Sequence, residues 1–218
     1  SVGFKEYGFL PEGLINYLAL LGWSNESDKE KHSLEELVSV FDSDRIQKSG
    51  AQFDIKKATW INHLHIKEGS TKKIIEASGK KFDELVSLFG EERSNQIISL
   101  VKERLNLIVD LQKEVGFFLN SPSSYDPKVL NKLNKEEALI VLKFCTLEVR
   151  VSKDSAAIKE GLFRESTKNK ISFGQTMKTL RLAIVGALKG PDLFKIVEII
   201  GTSETLKRIN KLTKTLKQ

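Results

Sequence analysis

The chain has 218 residues, of which 40% are hydrophobic and 29% charged, with one cysteine and four prolines. That balance is ordinary for a globular protein, and no run approaches the roughly 20 consecutive apolar residues that cross a bilayer as a helix. Cys145 lies in the apolar run Ala138-Leu-Ile-Val-Leu-Lys-Phe-Cys145, so a disulfide framework is excluded, core packing is its expected role and an intracellular setting is favoured. An excess of 35 Lys+Arg over 29 Asp+Glu gives a net charge of +6, which suits a polyanionic partner.

In chain order, Leu10-Pro-Glu-Gly-Leu-Ile-Asn-Tyr-Leu-Ala-Leu-Leu-Gly22 reads as a short helix, with proline in its first turn and glycine closing it. Ser33-Leu-Glu-Glu36 fits a capping box, and Leu34, Leu37, Val38 and Phe41 follow at helical spacing. Residues 45–53 form an irregular or strand-like piece, the only hint of strand in the chain. Asp54 then caps a helix running through His63. Three tandem helical segments are expected between Ser70 and Leu119, the longest from about Glu91 to Leu111.

Pro122-Ser-Ser-Tyr-Asp-Pro127 is the clearest linker, holding two of the four prolines. Helices follow near residues 134–149, 153–167, 172–188, 191–200 and 203–217. The architecture is therefore mainly α in three parts: a connector over residues 1–68, a first helical domain over 69–125 and a second over 126–218. The chain opens at Ser1 with no signal-peptide pattern, and its sole methionine is Met177, so it reads as a fragment of a longer protein.

Two arginines occupy unusual positions. Arg181 is the only charge between Leu180 and Leu188, where a guanidinium must find partners or line a cleft. The following Gly190-Pro191 supplies a turn and an expected first-position proline for the next helix, whose N–H groups face outward at its positive end. Arg104 falls within the stripe of Ile97, Val101, Leu105 and Ile108 if the helix continues at about 100° per residue. Such a side chain pairs with a carboxylate, snorkels to the rim or points into a groove.

Three ordered motifs spanning nearly the whole chain carry a resemblance. Leu180-Arg-Leu-Ala-Ile-Val-Gly186, Gly190-Pro-Asp-Leu-Phe-Lys-Ile196, Ile200-Gly201 and Leu206-Lys-Arg-Ile209 form a C-terminal signature. The second motif is Gly8-Phe-Leu-Pro-Glu-Gly-Leu-Ile-Asn-Tyr-Leu-Ala-Leu-Leu-Gly-Trp-Ser24. The third is Phe53-Asp-Ile-Lys-Lys-Ala-Thr-Trp-Ile-Asn62. Together they resemble the C-terminal part of bacterial-type glutamyl-tRNA synthetases of class I: a stem-contact connector followed by two α-helical anticodon-binding domains.

That resemblance implies a division of labour. The full-length parent would join glutamate to tRNA(Glu) with ATP and Mg²⁺ in the cytoplasm, through an N-terminal catalytic domain whose ATP loop precedes Ser1. This fragment would hold no catalytic residue, cofactor or metal and would act as a monomer. It implies that Arg104 reads the third anticodon base, with Lys102 the alternative if the register slips. Glutamate anticodons end in cytosine, whose O2 and N3 accept from a guanidinium; guanine would oppose it with donors. Arg181, Gly190, Pro191 and Leu193 match positions around the first anticodon base, proline and leucine as an apolar platform and Arg181 as donor. Gly190 stands where the family often has threonine or another small residue. Lys56 and Asn62 are candidate tRNA stem contacts and Trp60 a core residue, with Ala58 replacing the family's leucine.

Other patterns carry less. His63 and His65 lie about 200° apart on a helix and cannot share a metal; three histidines, one cysteine and no CxxC make a zinc site unexpected. Arg45-Ile-Gln-Lys-Ser49 has a superficial likeness to KMSKS but sits in a structural segment. Lys168-Asn-Lys170 and Lys207–Lys217 read as solvated faces rather than RNA contacts. Two further readings stand beside the synthetase tail: a helical protein-interaction module with structural arginines, and a non-discriminating synthetase that also charges tRNA(Gln).

Overall fold

The computed structural model describes residues 3–23, 28–47 and 50–218. Ser1, Ser24 of the second motif, and Lys48 and Ser49 of the KMSKS-like segment lie outside the described residues. The chain folds as two compact units, Ser1–Val115 and Gly116–Gln218. Among the described residues the architecture is helical, as the sequence patterning requires. An isolated bridge between Trp23 and Ile46 stands where a strand was expected.

In the first unit, α1 (Pro11–Gly22) packs against α3 (Ile55–Glu68). Phe9, Tyr17, Ala58 and Ile61 form a core cluster flanked by Leu20, Leu21 and Leu107. Between them, α2 (Leu34–Val40) starts at a complete capping box: the Ser33 hydroxyl accepts from Glu36 N–H and the Glu36 carboxylate accepts from Ser33 N–H. Asp54 caps α3 by accepting from Lys56 and Lys57, and the helix continues to Glu68, five residues past the expected end. Helix α4 (Thr71–Ser78) leads into α5 (Lys80–Val101), which breaks at Gly90, where φ is 77°.

The expected helix from Glu91 to Leu111 is too long. Helix α5 ends at Val101, followed by 3-10 turns at Lys102–Arg104 and Ile108–Asp110, with Leu105 extended between them. Asp110 explains part of the stop, because its carboxylate accepts from the N–H groups of Asn106 at 3.1 Å and Leu107 at 2.9 Å. A side chain that takes backbone donors locally competes with helix continuation. From the other side, α3 takes the carbonyls: Asn62 Nδ2 donates to Asn106 O at 2.7 Å and His63 Nδ1 lies 2.8 Å from Leu105 O.

Helix α6 (Leu111–Leu119) contains the division between the units. The second unit continues with α7 (Pro127–Leu130), α8 (Lys135–Val151), α9 (Ser155–Lys168), α10 (Phe173–Val185) and α11 (Leu193–Lys217), the last broken at Gly201. Helix α8 packs on α10 and α11, and α9 packs on all three. Cys145 is fully buried in α8, where burial and then the Glu148 charge push its thiol up. Residues 122–127, read from composition as a linker, are fastened within this unit. Lys211 Nζ donates to Pro122 O at 2.6 Å, and Asp126 N–H donates to Gly186 O at 2.8 Å.

Candidate nucleic-acid interface

The connector motif places its polar residues very differently. Lys56 is exposed on the first turn of α3. Asn62 is fully buried: its Oδ1 accepts from Leu10 N–H at 2.8 Å while its Nδ2 donates to Asn106 O. With both ends of the amide engaged inside the unit, Asn62 is a framework residue and not a direct stem contact. Gly13 is part of that joint, since a Cβ there would lie 2.6 Å from Asn62 Oδ1. Trp60 departs from its expected core role: it is 48% exposed, stacks on His63 and donates from Nε1 to Glu30 at 2.7 Å. Lys57 and Trp60 both donate to Glu30 and hold its carboxyl below the ordinary range.

The two histidines of α3 serve separate partners. His63 meets the Leu105 carbonyl, whereas His65 Nε2–H donates to buried Asn16 Oδ1 at 2.9 Å. Burial, then the nearby Lys31 charge, pushes His65 below its usual value, so the neutral ring persists at neutral pH. Among the described residues no group of three or more His, Cys, Asp or Glu side chains is arranged to hold a metal.

Arg104 sits in the 3-10 turn beyond α5, off the helical stripe to which continued periodicity assigned it. Val101 and Leu105 point into the core while the Arg104 side chain is 34% exposed. Its Nε donates to Glu114 Oε2 at 2.6 Å, an ion pair that orients the guanidinium at the surface. Lys102, the alternative in a slipped register, donates to the Gly69 carbonyl at 2.9 Å.

In the second unit, Arg181 Nη1 donates to the Pro191 carbonyl at 2.8 Å. Helix α10 stops at Val185 because Gly186 takes a left-handed conformation with φ of 82°, so Leu188 and Lys189 belong to the following turn rather than to the helix. That turn returns to Arg181, and a Cβ at Gly190 would come within 3.1 Å of Nη1. Pro191 is not the first helical residue: Asp192 is the N-cap of α11 and its carboxylate accepts from Lys195 N–H at 2.9 Å. The helix start is thus already capped by an anion. Pro191 and Leu193 are both buried, so neither side chain stands out as an exposed platform. Lys178, one turn before Arg181 and on the same helical face, is exposed.

Arg208 is the residue that sequence reasoning missed. It is 1% exposed, and its Nε donates to Glu204 Oε1 at 2.8 Å while Nη1 donates to the carbonyls of Phe117 at 2.6 Å and Ile184 at 2.8 Å. Burial alone would raise the Glu204 carboxyl; contacts from Ser121, Arg208 and Lys207 outweigh it and keep Glu204 below the ordinary range. A signal existed, since Thr205, Arg208, Ile209, Leu212 and Leu216 fall on one helical stripe. Neighbouring Lys207, Lys211 and Lys214 made the segment resemble a solvated face.

The anticodon binding domain family matches residues 68–213. This chain belongs to that family. Relatives include the glutamate–tRNA ligase of Flavobacterium johnsoniae, 39% identical over 217 residues, and that of Porphyromonas gingivalis, 36% identical over 218. Both alignments cover 99% of the chain but 43% of the relative, so the chain spans less than half the length of these proteins. A crystal structure of a glutamate tRNA ligase from Elizabethkingia meningosepticum matches with a TM-score of 0.90 and 34% identity, over 99% of this chain and 43% of that one. A second, from Elizabethkingia anophelis, matches with a TM-score of 0.87.

Within the anticodon binding domain match lie Arg104, Arg181, Gly190, Pro191, Leu193 and Arg208, whereas Lys56, Trp60 and Asn62 precede it. Among the described residues of this anticodon binding domain protein, no helix is long and apolar enough to cross a membrane.

Proposed function

We propose that this chain is the C-terminal tRNA-binding portion of a glutamate–tRNA ligase and that it positions the anticodon stem-loop of tRNA(Glu). The observation that carries this reading is the anticodon binding domain match, which encloses both arginines singled out by the sequence. Residues 1–68 serve as the stem-contact connector, with 69–115 and 116–218 as successive anticodon-binding parts, the boundary following the division between the two compact units rather than residues 122–127. Arg104, held at its turn by Glu114, offers donors to the third anticodon base. Arg181, braced on the Gly190-Pro191 turn, offers donors to the first. Exposed lysines such as Lys56 and Lys178 hold phosphates, which position RNA without reading sequence.

The whole protein, in this reading, ligates glutamate to tRNA in the cytoplasm as a monomer, with ATP and Mg²⁺ bound by parts outside this chain. A ligase that also accepts tRNA(Gln) is the second reading, since glutamine anticodons differ in the third base that Arg104 would contact. Titration of the chain with glutamate and glutamine anticodon stem-loops at several salt concentrations tests both. Tighter binding of the glutamate stem-loop supports discrimination, and equal binding of the two supports the broader ligase. Equal affinity for an unrelated stem-loop overturns anticodon reading.

A further inference from the structure

The hydrogen bonds of Arg208 go to Glu204, Phe117 and Ile184, none of them assigned to RNA contact, yet they join the elements that shape the proposed first-base site. Ile184 and Phe117 are in the last turns of α10 and α6, where carbonyls lack helical N–H partners. One buried guanidinium therefore caps two helix C-termini, with its positive charge at the negative end of each. Ile184 is also three residues beyond Arg181 and two before the left-handed Gly186.

From Ile184 the chain turns at Gly186, whose carbonyl accepts from Asp126 N–H, and returns so that the Pro191 carbonyl accepts from Arg181. Space at the turn is tight, because a Cβ on Gly186 would meet Ser124 O at 2.9 Å. It then enters α11, and Arg208 on that helix reaches back to Ile184. The bond closes residues 184–208 into a ring that contains the whole first-base turn. Apolar side chains of similar volume often replace buried ion pairs without loss of stability, but they cannot hold two carbonyls in register.

We infer that Arg208 is a positioning residue for base reading: it fixes the end of α10 and thereby sets Arg181 against the Gly190-Pro191 turn. This inference rests on the proposed reading of the first anticodon base by Arg181. Lysine is a poor substitute, because a single ammonium lacks the planar fork that spans Glu204 and two carbonyls.

The test measures binding of the 218-residue chain to a glutamate anticodon stem-loop and to one whose first anticodon base is guanine, by fluorescence anisotropy across a salt series. The wild type should favour the glutamate stem-loop by roughly tenfold or more. R208K, checked for folding by circular dichroism, should reduce that ratio to about twofold or less while keeping the salt slope set by phosphate contacts. E204Q, a gentler change to the same network, should lower the ratio part-way. An undiminished ratio in folded R208K overturns the inference; if R208K does not fold, an undiminished ratio in folded E204Q does so. Equal loss of affinity for both RNAs with the ratio intact marks a purely structural role and also overturns it. If the wild type and R181A each bind the two RNAs alike, base reading itself fails, and the positioning role with it.

Discussion

Glu114 holds Arg104 by a 2.6 Å hydrogen bond from Nε to Oε2, across a turn where a continuous helix was expected. The pair is partly exposed, so its contribution to stability is about 1 kcal/mol or less. Arg104→Ala should accordingly leave urea denaturation almost unchanged. In the proposed reading it should remove about 1–3 kcal/mol of discrimination between cytosine and guanine at the third anticodon base. Uniform weakening toward every RNA would identify Arg104 as a phosphate contact.

Asn62 should behave in the opposite way. Asn62→Ala leaves the buried Leu10 N–H and the Asn106 carbonyl without their partner, at about 2–4 kcal/mol. Gly13→Ala should cost about 1–3 kcal/mol by forcing Asn62 aside. Because both changes disturb one joint, the double variant should be less destabilised than the sum, as read from a denaturant double-mutant cycle.

Acid stability of the second unit should depend on Glu204. Its carboxyl is held below the ordinary value of 4.5, so the native state binds protons less readily than the unfolded chain. The resulting stabilisation is complete above that ordinary value and disappears as pH falls through the lowered native one. Wild-type midpoints measured from pH 7 down to 3 should therefore fall in the acid range. E204Q should show a shallower decline over the same window.

Gly186→Ala introduces a left-handed alanine and presses its Cβ against the Ser124 carbonyl. The conformational term alone is about 1–2 kcal/mol, and the close contact adds to it. Thermal unfolding should report the loss. In the proposed reading, first-base discrimination should decline with it, since the turn carrying Gly190 begins there.

The extent of legibility follows the range of the interaction. Ser33 with Glu36, and Asp54 with the two following amides, declare helix starts because donor and acceptor lie within one turn in sequence. Apolar periodicity located nearly every helix and, with the helix-start signals, the helical fold.

Where that periodicity misled, the deciding partner was distant. Nothing near Arg104 announces that Asn62 and His63 take the Asn106 and Leu105 carbonyls, or that Glu114 waits across the turn. Arg208 looked like one more surface cation until Phe117 and Ile184 were folded against it. The sequence by itself determined the local hydrogen bonds, the apolar stripes and the family signature. Tertiary structure decided which polar groups are buried and which remain at the surface, because a buried donor must find its acceptor wherever the chain brings one.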